Sequence, residues 1–241
     1  MTHLKITAVI HGSVDKYIRH VESADFSIQL GDFSTEAGAY QKFAQACSPA
    51  RHKFLGGNHE NYSEYDESLS ALGHFGARSL GNIAFYFIRG AYSLNYNNLL
   101  SQQLETGLQK YWIEEQLSFD GLEAAVEDYT NSQPQLMLSH TCPDEVAKLC
   151  GFPSMLRKFR RDPDTFTTNT QLALQKCFDQ WQPKVWVFGH FHTNWAQKVN
   201  NTLFICLDDH RKSLNIDIEG WCSFKGYRFN LYTGEVYEPS V

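Results

Sequence analysis

Five short apolar runs in the sequence each end on polar residues whose side chains could bind a metal ion. The runs span residues 6–10, 26–30, 53–55, 136–138 and 185–188, and the polar residues that follow them are His11, Asp32, Asn58-His59-Glu60, His140, and His190 with His192. Runs of this length are typical of buried strands, and the loops after the carboxyl ends of such strands hold the ligand in an open α/β sheet. Imidazole, carboxylate and amide groups are ligands that a pair of transition-metal ions requires. The pattern favours a metal-dependent hydrolase, or a protein descended from one.

The elements that must position these residues alternate between strand and helix in the first third of the chain. The pattern predicts a helix over 15–21, a strand over 25–30, a longer helix with Thr35 as its N-cap, and a third strand after Ser48-Pro49. Strands separated by helices in this way are expected to be parallel, with right-handed crossovers.

The remainder of the chain is less regular, and its periodicity predicts both helices and strands. The expected elements are an aromatic strand over 82–89 with a turn at Gly90, helices over 99–118, 122–129 and 168–181, and antiparallel strands over 201–208 and 220–237 with a turn at Thr233-Gly234. No repeat or linker marks a second folding unit. We therefore expect one domain over residues 1–241, of the α/β class, with central mixed sheets flanked by helices.

Charge and hydropathy narrow the classes of partner. The net charge of −6 argues against extended duplex DNA, which needs a basic face, but allows a phosphorylated small molecule or a nucleotide. The one basic cluster, residues 157–161, is interpreted as a solvated helix face, with a phosphate-guiding patch as the alternative. No apolar run approaches the ~20 residues of a membrane span, and the first residues do not read as a signal peptide. We therefore expect a cytoplasmic protein whose six scattered cysteines are reduced core thiols.

Taken in order, the strand-end residues resemble the calcineurin-like metallophosphoesterase superfamily over residues 6 to 192. The Gly-Asn-His-Glu segment at 57–60 and the Gly-His-Phe-His segment at 189–192 are the most specific parts of the resemblance. The segments 89–93 and 112–115 are also similar to small bacterial and phage members. The resemblance implies a four-layer αββα sandwich and a single domain of metallophosphoesterase type.

The resemblance also implies a role for each residue. Asp32 would bridge two divalent ions, with manganese as the first choice and iron or zinc as alternatives. The other implied metal ligands are Asn58, His140 and His190 for one ion, and His11 and His192 for the other. His59 would protonate the leaving oxygen of a phosphoester, and Glu60 would support the site or cap a helix.

One position departs from the superfamily pattern. Val9 stands where the first motif has an aspartate ligand, so the ion beside His11 and His192 is expected to bind weakly or not at all. Three outcomes stay open: catalysis with one tightly bound ion, a replacement carboxylate from Asp15, or a non-catalytic protein that binds phosphate or metal. Because lariat-debranching members also replace this aspartate, an RNA or nucleotide phosphodiesterase is the alternative activity. Arg89 and Tyr92 are candidate substrate contacts or structural residues.

Overall fold

Two β-sheets pack face to face and carry helices on their outer sides in the computed structural model, which describes residues 3–209 and 212–238. The strands are β1 (Leu4–Thr7), β2 (Phe26–Leu30), β3 (His52–Leu55), β4 (Phe75–Leu80), β5 (Ile83–Ile88), β6 (Leu136–Ser139), β7 (Val185–Phe188), β8 (Trp195–Val199), β9 (Thr202–Cys206), β10 (Ser213–Ile216), β11 (Trp221–Phe224), β12 (Tyr227–Asn230) and β13 (Val236–Tyr237). The helices are α1 (Val14–Val21), α2 (Ala39–Ala46), α3 (Tyr96–Thr106), α4 (Phe119–Ser132), α5 (Asp144–Leu149), α6 (Phe152–Lys158) and α7 (Asn169–Gln180), with short 3-10 turns at Glu67–Leu69 and Ile113–Glu115.

The first sheet has the strand order β10-β1-β2-β3. Its strands β1, β2 and β3 are parallel, as the alternation of strand and helix predicts, and β10 is antiparallel to β1. Helices α1 and α2 cover the outer face through an aromatic cluster in which Tyr17, Phe33, Tyr40 and Phe43 are fully buried. Stacked and edge-on aromatic pairs of this kind add to the burial energy and fix the helices on the sheet.

The second sheet has the strand order β4-β5-β6-β7-β9-β8. Strands β5, β6, β7 and β9 are parallel, whereas the edge strands β4 and β8 are antiparallel to their neighbours. Apolar side chains such as Ile28 and Leu30 from the first sheet and Leu138 and Val187 from the second form one core between the sheets. Helices α4 to α7 cover the outer face of the second sheet. The fold is therefore of mixed α/β class, with two sheets between two helical layers, as the resemblance implies.

Two sequence-based helix predictions are wrong in detail. The N-cap of α2 is Gly38 rather than Thr35, and Gly38 has a φ of +74°, a conformation that glycine adopts without a Cβ clash. The helix expected over 99–118 ends at Thr106, followed by Gly107 with a φ of +70°. Helical periodicity alone does not register such a stop, because the glycine acts through the backbone.

The predicted strands are found near their expected positions in the chain, but some differ from the prediction in length or in the strand with which they pair. The run at 6–10 belongs to β1, which ends at Thr7, and beyond it Val9 makes only an isolated parallel bridge to Asp209. In the tail, β11, β12 and β13 form the expected antiparallel sheet with its turn before β13. Strand β9, however, is parallel to β7 as well as antiparallel to β8.

Two expectations drawn from hydropathy and composition can be compared directly with the structure. All six cysteines are buried and free, as expected for reduced core thiols. Across the described residues, no helix combines the length and the apolar character that a bilayer span needs.

Candidate metal centre

The carboxyl ends of β1, β2, β3, β6 and β7 meet at one edge, where the two sheets face each other. The loops that leave these strands bring together six side chains that the sequence singles out: His11, Asp32, Asn58, His140, His190 and His192. Two groups of ligand atoms, each with all its atoms within 4.8 Å of one another, can be distinguished. One contains His11, Asp32 and His192, and the other contains Asp32, His140 and His190. Asp32 is therefore shared by the two groups.

The buried group is organised around His140. Its Nε2 lies 3.2 Å from Oδ1 of Asp32 and 3.2 Å from Oδ1 of Asn58, and its ring centroid lies 5.0 Å from that of His190. The Nδ1 of His140 is 2.6 Å from the carbonyl oxygen of Leu30, which can only accept a hydrogen bond. The proton of a neutral ring is thus held on Nδ1, and Nε2 presents a lone pair to the centre.

The second group is more open to solvent. The Nε2 atoms of His11 and His192 lie 3.3 Å apart, and both side chains are exposed, whereas Asp32 beside them is buried. Two imidazole nitrogens at this distance are favourable only when a cation or a proton lies between them. Two imidazoles and one carboxylate are a donor set suited to a borderline transition-metal ion.

Left-handed backbone conformations aim the ligands. His11, Asp32, His190 and His192 have φ values of +45°, +57°, +68° and +49°. Glycine is also required at position 31, just before Asp32, because a Cβ on Gly31 would overlap the ring of His140. The tight turns at the strand ends thus point successive side chains inward while the backbones come within contact distance.

Electrostatics favour the metal-binding protonation states of Asp32, His190 and His11. Burial alone would raise the pKa of Asp32, but the adjacent rings of His140 and His59 outweigh it and hold the pKa well below its ordinary value. Burial lowers the pKa of His190 well below its ordinary value, and His140 adds to that effect. Burial also lowers the pKa of His11. Asp32 is therefore ionised and the rings of His190 and His11 are favoured in the neutral form, as metal binding requires. At His140, burial is outweighed by the Asp32 carboxylate, which raises the pKa of that ring.

Glu60 connects the loops that carry Asp32 and Asn58. Its carboxylate accepts hydrogen bonds from the backbone N–H of Phe33 at 2.9 Å and of Gly57 at 3.1 Å, and from the hydroxyl of Tyr40 at 2.8 Å. Burial raises the pKa of Glu60 to about 7. These contacts match the supporting role that the sequence suggests, since the carboxylate faces backbone donors rather than the centre.

Sequence reasoning missed two residues that orient Asn58. Its Nδ2 donates to Oγ of Ser93 at 3.1 Å, and the hydroxyl of Ser93 donates to Oε2 of the buried Glu115 at 2.7 Å. Because the amide nitrogen is held by Ser93, Oδ1 of Asn58 faces His140. Both residues lie in the segments that resemble phage and bacterial proteins, which was the only signal in the sequence.

Replacing Ser93 by alanine is expected to weaken metal binding at the group that contains Asn58 by about 10- to 100-fold. The substitution removes the acceptor that fixes the amide and leaves Glu115 without one of its donors. Metal affinity measured by titration with Mn²⁺ checks this. On an Asn58→Ala background, Ser93→Ala should have no further effect, and an equal effect on both backgrounds would contradict a role through Asn58.

Three other sequence candidates lie elsewhere. Asp15 is exposed and pairs with Lys42 at 2.7 Å, so it does not replace the missing ligand. Arg89 is buried, donates to the carbonyl of Glu114 at 2.6 Å and lies over the ring of Tyr62, and it belongs to the structural packing. Tyr92 packs against Phe166, among the side chains between the second sheet and its covering helices. The segment Asp208-Asp209-His210 also follows a strand and has the residue types of a ligand cluster, but it matches nothing in the superfamily pattern, and His210 lies outside the described residues.

A cleft of about 370 Å³ opens beside the centre. Its lining comprises Asp32, Asn58, His59, His190 and His192 on one side and Leu94, Asn95, Gly151, Ser154, Met155, Lys158, Phe159 and Phe191 on the other. The half-buried ring of His59 lies 5.4 Å from the ring of His11, and its backbone N–H donates to Oδ1 of Asp32 at 2.8 Å. His59 is thereby held at the boundary between the ligand groups and the cleft.

A buried carboxylate shared by two groups of imidazoles, set at the strand ends of a two-sheet sandwich, is a donor set suited to divalent cations. The chain belongs to the calcineurin-like phosphoesterase family, whose model matches residues 6–194. The match spans all five strand ends that carry the site.

Similar solved structures include phosphoesterases, all at low sequence identity. A phosphopantetheinyl hydrolase from Mycobacterium tuberculosis is 12% identical with a TM-score of 0.48, over 87% of this chain and 91% of that one. An archaeal phosphodiesterase is 11% identical with a TM-score of 0.37, over 97% of each chain. A predicted phosphoesterase from Streptococcus pneumoniae is 9% identical with a TM-score of 0.37, over 98% of this chain and 92% of that one. A comparison with curated proteins finds no match.

Proposed function

We propose that the protein is a metal-dependent phosphoesterase that hydrolyses a phosphomonoester or a small phosphodiester by direct attack of water. One observation carries the proposal: Asp32 is shared by two groups of ligand atoms at the inner end of a cleft that His59 also lines. A carboxylate shared in this way would hold two cations close together, and paired ions would supply an activated water and stabilise the charge on the phosphoryl oxygens. Family membership supports the same class of reaction.

We assign the candidate ligands to two sets, one for each ion. Asn58, His140 and His190 with Asp32 would hold one ion, and His11 and His192 with Asp32 would hold the other. Bound ions of this kind lower the pKa of a coordinated water and neutralise charge on the phosphoryl group. Mixed nitrogen and oxygen donors suit Mn²⁺, and also iron or zinc.

His59 is proposed as the group that protonates the leaving oxygen. It lines the cleft, its backbone N–H donates to Asp32, and it belongs to neither ligand group, so its side chain would lie next to a phosphoryl group held at the centre. A positioned imidazole is an effective general acid near neutral pH.

Val9 favours a second candidate, a non-catalytic protein that binds a phosphorylated ligand, because the His11 group lacks one carboxylate. Assays with p-nitrophenyl phosphate and its bis ester, with Mn²⁺, Zn²⁺ or Fe²⁺, separate the two candidates. Turnover with at least one metal supports the esterase. Metal binding without turnover of either ester would favour the binding protein.

Replacing His59 by glutamine is expected to lower kcat by about 10²- to 10⁴-fold, because the leaving oxygen loses its proton donor. The bound-metal stoichiometry should not change, since His59 lies outside both ligand groups. A matched His3→Gln variant serves as the control, because His3 precedes β1 at the opposite end of the strand and contacts Asp25. Equal kcat in the two variants would remove His59 from the mechanism.

A further inference from the structure

The cleft has a second wall that hydrolysis of a phosphate group by itself does not require. Its volume of about 370 Å³ lies within the range that holds organic ligands, so it accommodates more than the phosphoryl group. The wall opposite the metal centre comes from α6 and the turn before it, together with Leu94 and Asn95. Phe152 and Leu156 bury the other face of α6 in the core, which fixes this wall against the second sheet.

Three residues of the α6 segment line the cleft at helical spacing: Met155, Lys158 and Phe159. Positions i, i+3 and i+4 share one side of a helix, so an ammonium group is flanked there by a thioether and an aromatic ring. Phe159 is 42% exposed, and Met155 is half-buried four residues before it, so both side chains are accessible from the cleft. This side of α6 offers both an adaptable apolar surface and a positive charge.

The charge on Lys158 is available to a ligand. Among the residues that the structure describes, none forms an ion pair with Lys158, whereas Lys148 on the preceding helix is paired with Asp144 at 2.7 Å. The only carboxylate lining the cleft is that of Asp32, which is buried at the opposite wall and engaged by His140. Within the cleft, a second anion would therefore meet a cation without a competing carboxylate on the same wall.

We propose that Met155, Lys158 and Phe159 form a leaving-group subsite that selects phosphoesters whose organic part carries an aromatic ring and a second anionic group, as a nucleoside bisphosphate does. The proposal rests on the phosphoesterase function proposed above. The ring packs on Phe159 and Met155, and the second phosphate pairs with Lys158, while the scissile phosphate lies at the metal centre. This subsite makes use of part of the basic cluster at 157–161, which the sequence analysis interprets as a solvated helix face with a phosphate-guiding patch as the alternative.

The test compares adenosine 3′,5′-bisphosphate with adenosine 5′-monophosphate, which share a ring and differ by one phosphate. Binding is measured by calorimetry on manganese-loaded protein carrying His59→Gln, so that turnover does not consume the ligand. We expect the bisphosphate to bind about tenfold more tightly than the monophosphate. Lys158→Gln should abolish that difference and leave the monophosphate affinity unchanged. Arg157→Gln is the matched control, because Arg157 is the adjacent exposed cation on α6 and does not line the cleft.

Two further readouts separate a direct contact from a structural effect. The preference for the bisphosphate should decrease as ionic strength rises, because Lys158 is exposed. Phe159→Ala should weaken both nucleotides equally. Equal effects of Lys158→Gln and Arg157→Gln, or a bisphosphate preference that survives Lys158→Gln, would overturn the subsite. Absence of turnover of every phosphoester by the protein with His59 intact would overturn the proposed function instead, since the binding comparison does not depend on catalysis.

Discussion

Replacing Asp32 by asparagine is expected to abolish tight metal binding at both groups of ligands and to reduce phosphoester turnover by more than about three orders of magnitude. The carboxylate is the only negatively charged side chain in either group, and it is the single residue that the two groups share. Asparagine keeps the shape but removes the charge that offsets the ions. It also places an amide beside Nε2 of His140, which now lies 3.2 Å from the carboxylate.

Metal analysis of the purified variant, together with the p-nitrophenyl phosphate assay, measures both effects. Asp15→Asn is the matched control, because Asp15 is a surface residue paired with Lys42 and is expected to leave metal content and turnover unchanged. Retention of two ions per chain in Asp32→Asn would contradict the shared-carboxylate arrangement. Loss of metal without loss of turnover would contradict the proposed chemistry.

Introducing aspartate at Val9 is expected to have opposite effects on metal binding and on the stability of the metal-free protein. Val9 is fully buried in the core between the sheets, two residues before His11. A carboxylate there adds the ligand and the charge that the His11 and His192 group lacks, so the number of tightly bound ions should rise by one. Without metal, burial of an unpaired carboxylate should cost several kcal/mol of unfolding free energy.

Added Mn²⁺ should restore the stability of Val9→Asp, because a ligand that binds only the folded state stabilises it by about 2.7 kcal/mol at one hundred times its Kd. Thermal unfolding with and without Mn²⁺, combined with metal analysis, checks both halves of the expectation. The matched variant is Val9→Asn, which has the same shape but no charge and should lose stability without gaining an ion. Unchanged metal stoichiometry in Val9→Asp would contradict this account of the centre.

The strand-end residues were predictable because their signal is local. An apolar run followed by a polar residue with an adjacent glycine predicts both a buried strand and the loop that leaves it, and parallel pairing of β1 with β2 then brings His11 and Asp32 to the same edge. Helix α7 was predictable for the same reason, since Thr168 accepts from the backbone N–H of Gln171 as an N-cap should.

Strands that form only through pairing with distant parts of the chain were not predicted from the sequence. Strand β10 has only four residues and alternates buried and exposed positions, and it exists because it pairs with β1, more than 200 residues earlier in the chain. Strand β8 is half-exposed at the edge of its sheet and reads as polar. Hydrophobic periodicity in the sequence specifies neither the order of the strands within a sheet nor the packing of one sheet on another.

The same limit applies to the supporting residues of the site. Ser93 and Glu115 are ordinary polar residues in the sequence, and their function depends on a contact between positions 58, 93 and 115 that only the folded chain creates. The role of Arg89 could not be assigned from the sequence for a related reason. Its guanidinium group lies over the ring of Tyr62 and donates to the backbone carbonyl of Glu114, and both residues are distant from it in the sequence.

The positive φ angles at His11, Asp32, His190 and His192 have a consequence for how this chain can change over time. Each non-glycine residue in that conformation costs the folded state about 1 kcal/mol, and glycine would relieve the cost at every one of the four positions. A lineage released from any demand to hold cations would gain stability by drifting to glycine there. Backbone strain and retention of these side chains therefore have opposing effects on stability, and a bound cation would offset the strain in addition to the contacts that Asp32 already makes with His140 and His59.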